Sequence, residues 1–137
     1  MAAQMSIHSA LVHVMVLTAC ADKRVADEEI RQMSEMVSVW PVFRSYDTDQ
    51  LSADIESCMA FLEREDGIEE LMQAVSDVLP ARLSETAYAL ACDVAAADGT
   101  ATQTELEVLM IVRQSLGVGR LPAAAIERGA RARAMTL

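Results

Sequence analysis

Apolar residues recur every three or four positions through almost the whole chain, and no stretch alternates apolar with polar among β-branched and aromatic residues. The first pattern belongs to amphipathic helices and the second to half-buried strands, so an all-α fold is required. The spacing predicts a first helix over 6–21, with Ile7, Ala10, Leu11, Val14 and Leu17 as its stripe. A second, over 27–39, uses Ile30, Met33, Val37 and Trp40, and Pro41 ends it because proline disfavours helical geometry in the residue before it. The third, over 48–64, carries Leu51, Ile55, Cys58, Met59 and Leu62 and is broken by "EDG" at 65–67. Helices over 68–79, stopped by Pro80, and 82–97 follow. The sixth, over 102–116, carries Leu106, Leu109, Met110 and Leu116 and ends before Gly117. A seventh, near 123–133, opens at Pro122, a good first-turn residue.

At 137 residues the chain is sized for one domain, 1–137, with its own buried core. No apolar run approaches the ~20 residues of a membrane span, so a cytoplasmic protein is expected. Cys20, Cys58 and Cys92 are odd in number and lack CxxC spacing, which indicates neither a disulfide framework nor a zinc cluster. Buried apolar fillers are the expectation. Met15, Met33, Met59, Met72 and Met110 lie on or beside apolar stripes and read the same way, with a Met-rich partner groove as the alternative.

The net charge of -10 excludes nucleic acid as the main partner, since phosphate binding needs a basic face. The charge is uneven. Residues 1–119 carry 7 basic and 20 acidic groups, whereas 120–137 carry Arg120, Arg128, Arg131 and Arg133 against Glu127. This last stretch is a basic helix or tail that either docks on the acidic body, meets an acidic partner or is simply solvated. Between Asp47 and Asp77 lie ten acidic residues and one basic residue, Arg64, which marks the third and fourth helices as the most negative surface.

Laid 76 positions apart, "LTACADKRVADEEIRQM" (17–33) and "DVAAADGTATQTELEVL" (93–109) align Asp22 with Asp98, Glu29 with Glu105, Ile30 with Leu106 and Met33 with Leu109. Two related helical hairpins follow, one near each end of the chain. In the second copy, Thr102-Gln103-Thr104-Glu105 is a capping box, which by itself accounts for Glu105. In the first copy Ala26 stands at the Thr102 position and cannot cap, yet Glu29 remains. Asp22 and Asp98 sit where a helix ends, a place its dipole makes unfavourable for an anion. Asp93 adds a carboxylate in alanine-rich surroundings that calls for a counter-charge, a hydrogen bond or a metal.

Gly99 and Glu105 match half of an EF-hand loop, but Val94 and Ala96 stand where oxygen ligands belong, so a self-contained calcium loop is not expected. A site pooled from both hairpins, with Asp22, Glu29, Asp93, Asp98 and Glu105 as oxygen donors, suits a hard cation such as calcium or magnesium. Capping without any ion is the competing reading. No enzyme is expected: His8 and His13 do not share a helical face, and no phosphate-binding glycine loop is present.

The "AAADG" run closing one helix, the acidic residue seven positions after its aspartate and the later "LGV" resemble the TerB-like tellurite-resistance family. Residues 87–118 carry most of this resemblance, and 7–40 echo it with "ACADKRVADEEI". It extends over about 5–118, with the basic tail outside. The resemblance implies a compact all-α domain of about seven helices built around two related hairpins, found also at the start of membrane-linked DnaJ-type co-chaperones. It further implies a non-enzymatic bacterial stress or tellurite-resistance protein, with Asp22, Glu29, Asp93, Asp98 and Glu105 as divalent-cation ligands and a protein partner, homodimerisation being left open. Lys23 replaces the glycine of the motif in the first hairpin, where it can neutralise Asp22 internally.

Overall fold

The computed structural model describes residues 5–21, 25–97 and 101–137. They form α1 (Ile7–Ala19), α2 (Asp27–Val39), α3 (Leu51–Leu62), α4 (Gly67–Val78), α5 (Ser84–Ala96), α6 (Gln103–Leu116) and α7 (Arg120–Ala134), and no strand occurs among them. All seven expected helices are present. Both proline stops act as expected, because Trp40 before Pro41 and Leu79 before Pro80 take extended backbone angles. Two starts differ. The third helix begins as a separate 3-10 turn, Thr48–Gln50, whose entry Asp47 caps by accepting from the Asp49 amide. The seventh opens at Arg120, which makes Pro122 the third residue, still within the turn whose amides need no helical acceptor.

α1 lies at the centre, packed against α3, α4, α5 and α6. Every residue from Ala10 to Cys20 is buried, so the one-sided stripe read from the sequence is a fully enclosed segment, and only Ile7 at its start is 40% exposed. Enclosure on all sides requires the polar groups within to be satisfied. Thr18 Oγ1 donates to the Val14 carbonyl at 3.0 Å, and His13 uses both ring nitrogens.

α5 lies between α1 and α7, its two most extensive neighbours. Ala87, Ala91 and Ala95, spaced by four, are buried along it, and α7 answers with buried Ala123 and Ala130. Side chains this small let the helices approach closely. α6 departs from its expected stripe by turning Val108, Leu109 and Val112 inward, which leaves Leu106 and Met110 49% and 57% exposed. Met15, Met33 and Met72 are core residues as expected; Met110 is not.

The α3–α4 junction depends on one glycine. Gly67, the first residue of α4, sits against the end of α3, and a Cβ there would lie 1.9 Å from the Phe61 carbonyl oxygen. Gly67→Ala should therefore force the two helices apart and destabilise the fold by ~2 kcal/mol or more in chemical denaturation. Unchanged stability would mean that the junction tolerates a wider crossing.

Candidate functional site

The two hairpins repeat at the level of backbone and cap. Glu29 and Glu105 are each the third residue of their helix, following Ala26 (φ -74°, ψ 155°) and Thr102 (φ -73°, ψ 165°). Glu29 Oε1 accepts from the Ala26 amide at 3.2 Å, and Glu105 Oε1 accepts from the Thr102 amide at 2.8 Å. Only the second copy closes the box, with the Glu105 amide donating to Thr102 Oγ1 at 3.1 Å. Ala26 has no group that could do so, which is why the acid alone survives in the first copy. Asp22 and Asp98 lie outside the described residues, as does Lys23.

Asp93 has a counter-charge. Arg133 in the last turn of α7 reaches it with two donors, NH2 to Oδ1 at 2.6 Å and Nε to Oδ2 at 3.3 Å, while the Asp93 side chain is only 18% exposed. The guanidinium also passes close to Gly129, where a Cβ would lie 3.1 Å from Arg133 NH1. The Asp93 carbonyl also accepts from Gln32 Nε2 at 3.3 Å, tying α2 to α5. The basic segment is thus docked on the acidic body: Ala123 and Ala130 are buried, Tyr88 OH donates to Glu127, and Arg133 meets Asp93.

Glu29, Asp93 and Glu105, contributed by α2, α5 and α6, line one cavity of about 680 Å³ that also receives Arg133. The fold therefore brings these three predicted residues to one space. Among the described residues, no three His, Cys, Asp or Glu side chains gather closely enough to hold a metal ion by themselves. For a hard cation the fit is uneven: Glu105 uses Oε1 in the cap and has Oε2 to offer, whereas both Asp93 oxygens face Arg133.

A second polar cluster ties α1 to α3 and was not legible in the sequence. Asp54, buried in α3, accepts from Ser9 Oγ and from Tyr46 OH, both at 2.7 Å. His13 Nδ1 donates to the Ser9 carbonyl at 2.6 Å, which leaves Nε2 of the neutral ring to accept from Ser57 Oγ at 2.9 Å. Burial pushes the His13 pKa below its ordinary 6.5, against the opposing pull of the Ser9 carbonyl and Asp54. With the folded pKa lowered, the unfolded chain takes up the proton first as pH falls. Stability should be complete above pH 6.5 and drop below it, with a slope of up to ~1.4 kcal/mol per pH unit from this one group. Denaturation at stepped pH should show that slope in the wild type and lose it in His13→Asn; an identical slope in both would remove His13 as its source.

All three cysteines are buried thiols, and burial pushes those of Cys58 and Cys92 up to about 12. Thiol reagent should label the native protein slowly and the denatured protein fast; rapid native labelling of two or more would contradict their burial and point to a redox role.

The family model described as "Tellurite resistance protein TerB" matches residues 8–128. No curated protein and no solved structure matches the chain. The match runs past residue 118, where the motif resemblance stops, and takes in the first part of α7, in keeping with the docking of that helix on α5. Seven helices, a repeated hairpin entry and a family match over most of the length lead to one assignment: the chain belongs to the tellurite resistance protein TerB family.

Proposed function

We propose that this TerB-family chain is a non-enzymatic protein of stress or tellurite-resistance type whose acidic hairpin turns hold a divalent cation, calcium or magnesium, and whose surface engages a protein partner. One observation carries the reading: Glu29, Asp93 and Glu105, far apart in sequence, line one cavity between the hairpins. Oxygen donors of this kind suit hard cations. Asp22 and Asp98 complete the ligand set in this proposal. The cation competes with Arg133 for Asp93, so binding is coupled to the end of α7.

A second reading has its own support. Both glutamates already cap their helices and Asp93 already has a counter-charge, so the same acids suffice for a helical adaptor or co-chaperone-like module without an ion. Arg133→Ala separates the two. It frees both Asp93 oxygens, so the cation reading expects tighter calcium or magnesium binding by titration calorimetry, and the adaptor reading expects only a small loss of stability.

Thermal melting in EDTA and in added calcium or magnesium tests the proposal directly, because a ligand specific to the folded state stabilises by RT ln(1 + [L]/Kd). At a hundredfold excess over Kd the gain is ~2.7 kcal/mol, which for a chain of this length raises Tm by roughly 10 °C. Glu105→Gln, which retains an acceptor for the cap, should abolish most of that rise at little cost in EDTA. Melting curves indifferent to EDTA and to either cation would leave the adaptor reading standing.

A further inference from the structure

A second cavity of about 570 Å³ lies where α5, α6 and α7 meet. Its size is in the range of small-molecule sites. Apolar wall is supplied by Ala95 and Ala96 of α5 and by Leu106, Leu109 and Met110 of α6. Leu106 and Met110, one turn apart and about half exposed, form a lip that no other part of the described chain covers. The opposite end is polar. The hairpin α5–α6 brings Arg113 to the level of Tyr88, and α7, whose Glu127 meets Tyr88, adds Arg131 one turn further along.

Basic groups are scarce in this molecule, and two of them line this groove. Acidic groups outnumber basic ones 21 to 11, and Arg113 and Arg131, like most arginines among the described residues, take part in none of the four ion pairs. Arg113 gives only Nε, to the Val118 carbonyl at 3.2 Å, and Arg131 makes no hydrogen bond among the described residues. Glu127 is engaged by Tyr88 OH. Two arginines against one glutamate leave the lining of this apolar groove net positive.

We infer that this groove binds an amphipathic anion, a free fatty carboxylate whose acyl chain lies along Ala95, Ala96, Leu106 and Met110 and whose head group meets Arg113 and Arg131. Guanidinium groups match carboxylates in two-point geometry, and an alanine-lined channel beside flexible Met110 accommodates an unbranched chain. The inference is independent of the cation reading and is tested in EDTA, which also removes calcium soaps.

Titration calorimetry of the full chain with decanoate below its micelle concentration should give one saturable site per molecule. Octanoate, two methylenes shorter, should bind ~15-fold more weakly, as burial of ~0.8 kcal/mol per methylene dictates. Decyltrimethylammonium, with the same chain and the opposite charge, should bind at least ~10-fold more weakly than decanoate. Arg131→Glu, at an exposed position, should leave Tm unchanged and erase that preference. Equal affinity for the two head groups, an unaffected Arg131→Glu variant, or no saturation would overturn the proposal. Co-sedimentation with anionic phospholipid vesicles in the absence of decanoate binding would overturn it in favour of a membrane surface.

Discussion

Burial of α1 on every side is the constraint from which the remaining arrangement follows. A helix that is apolar or internally satisfied from Ala10 to Cys20 cannot lie on a surface, so α3, α4, α5 and α6 must enclose it. That enclosure determines where the site falls. α1 leads into the first hairpin and α5 into the second, and their mutual packing brings the first turns of α2 and α6, remote in sequence, to one cavity. Glu29, Asp93 and Glu105 then face one cavity although no local motif joins them. In this sense the acidic space is a by-product of core packing.

α7 shows how a basic segment becomes part of an acidic body. Its arginines alone would give a solvated helix, but Ala123 and Ala130 let it lie close on α5 and Arg133 meets Asp93. An ion pair with one partly exposed member contributes little by itself; the apolar contact of alanines provides the docking and the pair sets its register. The helix also separates two cavities of different character. Ala130 borders both: the acidic one between the hairpins and the apolar one bounded by Arg113 and Arg131.

Features that depend on neighbours in sequence were legible before the structure. Periodicity located seven helices, Pro41 and Pro80 located two stops, and Thr102 with Glu105 announced a capping box that the structure closes with two hydrogen bonds. The repeat was legible too, because Glu29 and Glu105 keep the same position in their helices and the same backbone acceptor role. What depends on distant partners was not. Ser57 meets His13 from 44 positions away and Arg133 meets Asp93 from 40, so neither pair leaves a local signature. Asp54 looked like one more member of an acidic face, and only the fold shows that Ser9 and Tyr46 converge on it. Leu106 and Met110 carried a helical period that in other surroundings would have meant burial.

The central claim is that two sequence-distant hairpins form one cation site, and backbone amide NMR under titration with magnesium or calcium tests it most directly. The account predicts that the amide resonances of Glu29, Asp93 and Glu105 shift together along a single binding curve, accompanied by the Arg133 Nε–H as its carboxylate partner is taken. Shifts confined to one hairpin, separate curves for the two, or spectra unchanged by either cation would contradict it.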